Sequence, residues 1–167
     1  MTSGVPTAAE PHSDPAAVDR VRRALLAAGL PDTVRTLDDD VPTASAAAQA
    51  LGCDLGAIAN SLVFDLDGGP LLILASGAAR VDTKLVARQL GVEKVRRASP
   101  EFVLAHTGQR VGGVAPVGHP KALRTLIDVH LEAYPLLWAG AGDHRSMLSI
   151  TYADLSRVTG AEPLAVR

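Results

Sequence analysis

The groups best placed to do chemistry fall in one run, Val111-Gly112-Gly113-Val114-Ala115-Pro116-Val117-Gly118-His119-Pro120. Adjacent glycines bring the backbone close to a ligand with no side chain in the way, and free N–H groups there can hold an oxyanion or a phosphate. Pro116, four residues after Gly112, would stiffen the run and hold those donors in place. Local physics alone fits a tight turn between a helix and a strand equally well. The familiar catalytic signatures are absent: the chain has no G-x-S-x-G elbow, no P-loop, no G-x-G-x-x-G after a strand and no H-E-x-x-H. Its five histidines (His12, His106, His119, His130, His144) follow no ligand spacing, so neither a metal nor another cofactor is expected. His144 sits in Gly142-Asp143-His144-Arg145 and reads as a solvated turn histidine, with a place beside a site as the alternative. Cys53, at a helix end next to Asp54, is badly placed to become a thiolate and reads as a structural thiol.

The elements that must hold this run can be placed from caps and periodicity. Asp14 caps a first helix with Pro15 in its first turn and Val18, Val21, Leu25 and Leu26 on one face; Gly29 and Pro31 stop it. A short strand is expected at Thr33–Leu37, an alanine-rich helix over Ala44–Leu51 behind Thr43, and a turn or short helix at Asp54–Ala59. The strongest hairpin joins Ser61–Leu66 to Pro70–Ala75 through Asp67-Gly68-Gly69. Asp82 starts a helix over Thr83–Leu90, a strand follows near Lys94–Arg97, and Ser99-Pro100-Glu101 opens a helix to Thr107. Strands at Thr125–Val129, Leu136–Ala139 and Met147–Ile150 precede a last helix, Tyr152–Thr159, capped by Thr151. Hairpins outnumber helical crossovers in the second half, which points to an α+β fold with a mixed, mostly antiparallel sheet and helices around it.

The chain has 167 residues, 47% of them hydrophobic, enough for one domain with a real core. Residues 1–14 read as a disordered tail without signal-peptide character, and residues 15–167 as a single domain. A single cysteine excludes a disulfide framework, and no apolar run reaches membrane-span length, so a cytoplasmic location with no membrane partner is expected. Net charge is −2, yet nine basic residues and only three acidic ones lie between Arg80 and Arg124. Such a stretch can meet a phosphate backbone, or it can be solvated helix faces. Phe64, Phe102 and Trp138 are too few for a base-stacking platform.

The glycine run resembles the GGV(S)PxG signature of the YbaK/prolyl-tRNA-synthetase-associated domain family, aminoacyl-tRNA deacylases of the trans-editing type. The likeness extends in order along residues 18–164. Pro42-Thr43, Ala46-Ala47 and Leu51-Gly52 are similar to the family's early element, and Ile58-Ala59-Asn60-Ser61-Leu62-Val63-Phe64 to its I-x-K-[TS]-L-[VL]-F strand. Arg80-Val81-Asp82 with Lys84-Leu85-Val86-Ala87 and Leu90-Gly91, then Ala98-Ser99-Pro100-Glu101 with Thr107-Gly108, resemble its middle. Asp128, Ala139-Gly140, Asp154-Leu155 and Arg157-Val158-Thr159-Gly160-Ala161 resemble its end.

The resemblance implies a YbaK-like, barrel-like sheet and hydrolysis of the ester joining a wrong amino acid to the 3′ end of a tRNA, with the acceptor stem and an aminoacyl-tRNA synthetase as partners. It assigns Asn60, Gly112, Gly113 and Pro116 to catalysis: amides around Gly112 and Gly113 hold the oxyanion, and a substrate hydroxyl such as the ribose 2′-OH positions the water. It places Ser61, Ala115, Gly118, Gly140 and His144 around the substrate. Ser76 and Gly77, which end the second hairpin arm, either border the pocket or terminate a strand. Two positions depart from the family: Asn60 stands where it has lysine and Ala115 where it usually has serine. Asparagine donates hydrogen bonds without charge, and losing a charge-assisted bond costs about 1.5–3 kcal/mol, or roughly tenfold to a hundredfold in rate. A non-catalytic adaptor that binds tRNA ends, a nucleotide or a synthetase is the alternative those departures raise.

Overall fold

The structure is a computed structural model and describes residues 13–167. Most of the expected tail therefore lies outside the described residues. In chain order the elements are α1 (Pro15–Ala27), β1 (Arg35–Thr36), α2 (Ala44–Leu51), β2 (Ile58–Leu66), β3 (Gly69–Ser76), α3 (Thr83–Leu90), β4 (Arg96–Arg97), α4 (Pro100–Thr107), β5 (Arg124–Asp128), β6 (Leu137–Gly140), β7 (Ser146–Ile150), α5 (Tyr152–Thr159) and β8 (Glu162–Leu164). The expected N-caps are the observed ones: Asp14, Thr43, Asp82, Ser99 and Thr151 each accept a hydrogen bond from a first-turn N–H of their helix.

Asp67 and Gly68 set the centre of the fold. Both have positive φ (49° and 93°), the requirement of the two-residue turn whose twist matches its strands, and β2 and β3 pair antiparallel on either side. The turn is one residue shorter than the sequence suggests, because Gly69 already pairs with Leu66. In β3, Leu72 and Leu74 join the core beneath α1 and α5 with Val21, Leu25 and Leu155. Leu71, Ile73 and Ala75 join the opposite core with Val86 and Ala87 of α3. A strand buried on both faces must be apolar throughout, which explains the unbroken run Leu71–Ala75.

The sheet is mixed, in the order β1-β7-β6-β2-β3-β5-β8, with β4 also on β2. Hairpins do not dominate its second half as expected. Only β6–β7 is one there; β5 runs parallel to β3, β8 parallel to β5, and β6 parallel to β2. Strand β8 has no sequence signal, being three residues with Pro163 at its centre. Its neighbours fasten it: Val166 O accepts from Asp82 N–H at 2.7 Å and Ala165 O from the Gln89 amide at 3.2 Å.

One irregularity matters for the site. On the edge of β2 away from β3, β6 pairs at residues 58–59 and β4 at residues 64–65. Among the described residues no strand pairs with 60–63 on that edge. The two neighbours form a fork with a bare stretch of β2 between them.

Candidate functional site

The fork is the floor of a cleft of about 1070 Å³. Asn60 and Ser61 of β2, Gly140 at the end of β6, and Gly112 and Val114 of the glycine run all line it. Pro42, Ala44 and Met147 contribute an apolar wall, and Arg80 and Arg97 contribute charge. The structure thus brings Asn60 and Ser61 together with Gly112 and Gly140 from distant parts of the chain. Gly113, Ala115, Pro116 and Gly118 lie behind the lining. Ala115 is fully buried in the core, and a Cβ at Gly118 would meet Val21 of α1 at 3.0 Å.

Ser76 and Gly77 stand apart from the lining, at the far end of β3. Ser76 Oγ donates to Gly56 O at 2.8 Å, while its N–H donates to the buried Asp128 carboxylate at 3.1 Å. A Cβ at Gly77 would lie 2.6 Å from Leu55 O, so close packing accounts for that glycine.

The glycine run is held from three sides. Gly142 N–H donates to Gly113 O at 2.8 Å, and a Cβ at Gly113 would fall 2.7 Å from the Asp143 backbone. His144 does not behave as a solvated turn residue: it is 8% exposed, and its Nε2 donates to Val111 O at 3.0 Å. A Cβ at Gly112 (φ 94°) would sit 2.8 Å from that Nε2. Gly112 and Gly113 are therefore both packing glycines; Gly112 also lines the cleft, whereas Gly113 is buried behind it. The turn is itself anchored, since Asp143 Oδ2 accepts from Asp14 N–H at 2.9 Å and His144 O accepts from Val41 N–H at 2.6 Å.

Gln109 is a supporting residue with no sequence signal beyond a polar side chain after a helix stop. It is fully buried. Its Oε1 accepts from Ala115 N–H at 2.6 Å and its Nε2 donates to Val117 O at 3.1 Å, so one side chain serves the run as a strand would. On the outer side His119 Nε2 donates to Ala115 O at 2.8 Å, and burial pushes the ring's pKa below the usual histidine value.

These bonds decide which amides remain free. Gly113 N–H is spent on Arg110 O at 3.0 Å and Ala115 N–H on Gln109. Among the described residues, the N–H groups of Gly112 and Val114 have no acceptor. Ser61 Oγ is enclosed and unpartnered as well. Cys53 lies outside the cleft lining; burial, then the Asp54 charge, hold its thiol pKa above the ordinary value.

An α+β sheet with a cleft floored by bare strand and roofed by a braced glycine run defines a YbaK-like editing fold. Comparisons with known proteins place the chain further. Residues 38–158 match the aminoacyl-tRNA editing domain, and the chain belongs to that family. It is 35% identical over 115 residues to the uncharacterized protein YwhH of Bacillus subtilis, covering 68% of this chain and 73% of that one. It is 32% identical over 123 residues to proline–tRNA ligase of Nitratidesulfovibrio vulgaris, covering 68% of this chain but only 21% of that enzyme. A crystal structure described as a proposed trans-editing enzyme for prolyl tRNA synthetase superposes with a TM-score of 0.86 at 37% identity, covering 93% of this chain and 99% of that one. Among the described residues no helix is long and apolar enough to cross a membrane.

Proposed function

We propose that this chain is an aminoacyl-tRNA deacylase that hydrolyses the ester between a mischarged amino acid and the tRNA 3′ end. The convergence of Asn60, Gly140 and the free amides of Gly112 and Val114 on one cleft carries the reading. Water attacks the ester carbonyl, and the negative oxygen that forms is held by the Gly112 and Val114 N–H groups, a modest shift of role from Gly113. The carbonyl then re-forms and the bond to the ribose oxygen breaks. That oxygen takes up a proton, which leaves a free amino acid and an uncharged tRNA. No histidine or carboxylate lines the cleft, and the His144 ring beside Gly112 is bonded through Nε2 to Val111 O, which supports a water positioned by the neighbouring ribose hydroxyl.

Asn60 supports the ester or terminal ribose by hydrogen bonds where a lysine would add charge. Arg80 and Arg97, both exposed and both lining the cleft, supply positive charge for the terminal phosphates. His144 and Gln109 are positioning residues, acting through the glycine run. Pro42, Ala44 and Met147 form an alkyl wall suited to a small side chain, with discrimination of about 1–3 kcal/mol per methylene.

The test is a deacylation assay against tRNAs charged with Ala, Ser, Cys, Thr and Pro, with Asn60→Lys alongside. Hydrolysis by the natural chain is expected. Activity in Asn60→Lys alone would favour the second reading, a binding adaptor, which Asn60 together with the buried Ala115 supports. Inactivity of both proteins on all five would defeat the deacylase reading.

A further inference from the structure

The bare stretch of β2 has a chemical consequence that follows from strand parity. Gly77 N–H donates to Ile58 O at 2.8 Å, and the Leu66↔Gly69 pair closes the hairpin, so even-numbered residues of β2 turn their N–H and C=O groups towards β3. Odd-numbered residues turn theirs to the other edge. There Ala59 meets β6 and Asp65 meets β4. Between them the backbone groups of Ser61 and the N–H of Val63 face the cleft, and no strand among the described residues satisfies them.

Along that edge the Ser61 carbonyl and the Val63 N–H are adjacent, an acceptor followed by a donor. The Watson–Crick edge of adenine presents the complement: an amino donor on N6 beside the acceptor N1. Guanine and hypoxanthine present the reverse, an acceptor O6 beside an N1–H donor. Apolar side chains, Val81, Val95, Val103 and Val114, line the same cleft and can flank a flat ring. The unpartnered Ser61 Oγ lies on the same residue as the carbonyl.

We infer that the open edge of β2 reads the terminal adenine of the tRNA, with the Ser61 C=O accepting from N6 and the Val63 N–H donating to N1. This rests on the proposed deacylase reading, which it deepens by naming how the 3′ nucleotide is recognised. Main-chain recognition of this kind adds a base to the sheet as a peptide strand would be added. It is insensitive to side-chain substitution and selects adenine by polarity.

The test uses the full chain and two hydrolysis-resistant probes, 3′-alanylamido-3′-deoxyadenosine and its inosine counterpart, followed by backbone amide NMR. The adenosine probe is expected to shift the Val63 and Ser61 amides and to bind at least tenfold more tightly than the inosine probe, because exchanging the base inverts both hydrogen bonds. Equal affinity, shifts confined to other amides, or no binding of either probe at millimolar concentration would overturn the inference. Because no turnover is involved, the result is separate from the deacylation assay. Adenine-selective shifts without hydrolysis would leave the edge assignment standing and remove the enzyme. Hydrolysis without base discrimination would do the opposite.

Discussion

At the scale of single residues, the site combines an uncharged Asn60 with two glycines that neighbours leave no room to replace. Asn60→Lys restores a charge-assisted bond and is expected to raise kcat/KM for the preferred aminoacyl-tRNA by about tenfold to a hundredfold, read in the deacylation assay. A Cβ at Gly113 meets the Asp143 backbone, and one at Gly112 meets the buried, bonded His144 ring at a φ of 94° that itself strains an alanine. Gly112→Ala and Gly113→Ala are therefore both expected to lower the melting temperature, each with an overpacking cost of about 1–3 kcal/mol. Gly112→Ala should in addition lower kcat, since Gly112 lines the cleft and its N–H is free.

At the scale of elements, the glycine run is shaped by side chains that replace missing strand neighbours. Gln109→Leu keeps the volume but leaves the Ala115 N–H and Val117 C=O buried and unpaired. The cost is about 2–5 kcal/mol in all, visible as a clear loss of thermal stability together with hydrolysis. His119 gives the run a pH response. Burial depresses its folded pKa, so the unfolded chain takes up the proton first. Stability is full above the ordinary value near pH 6.5 and declines as pH falls from there towards the lower folded value. His119→Gln, which keeps a donor for Ala115 O, should flatten that decline in melting curves taken between pH 5 and 8.

The helices and their caps were legible because capping chemistry is local: Asp14, Thr43, Asp82, Ser99 and Thr151 announce their helices by type and position. The Asp67-Gly68 turn was legible for the same reason. Strand β8, the parallel pairing of β5 and β6 and the bracing by Gln109 and His144 were not. Each depends on a partner far along the chain, as when Arg124–Ile127 finds Leu71–Leu74. Among site residues, the pattern around Asn60 and Gly112 pointed to the cleft. It could not separate the free Gly112 amide from the committed Gly113 amide, because Arg110 O decides that in three dimensions.

At the scale of the molecule, the net charge of −2 conceals a basic segment, of which Arg80 and Arg97 reach the cleft itself. Replacing both by alanine should raise KM for aminoacyl-tRNA and reduce the salt dependence of binding, by about 0.7 in log–log slope for each phosphate that is no longer neutralised. Cleavage of a small aminoacyl ester lacking phosphates should be unaffected. The placing of β2 and β3 has a consequence for synthesis. This hairpin is the middle of the finished sheet, yet its long-range neighbours β5 and β6 begin only at Arg124 and Leu137, and the earlier β4 pairs with just residues 64–65 of β2. A ribosome adding about 5–20 residues per second needs several seconds to deliver them. Throughout that interval the most apolar strand of the protein, β3, has one border with no strand to pair with. Shielding of that hairpin during synthesis is therefore expected to raise the soluble yield, which cell-free synthesis with and without an added chaperone would measure.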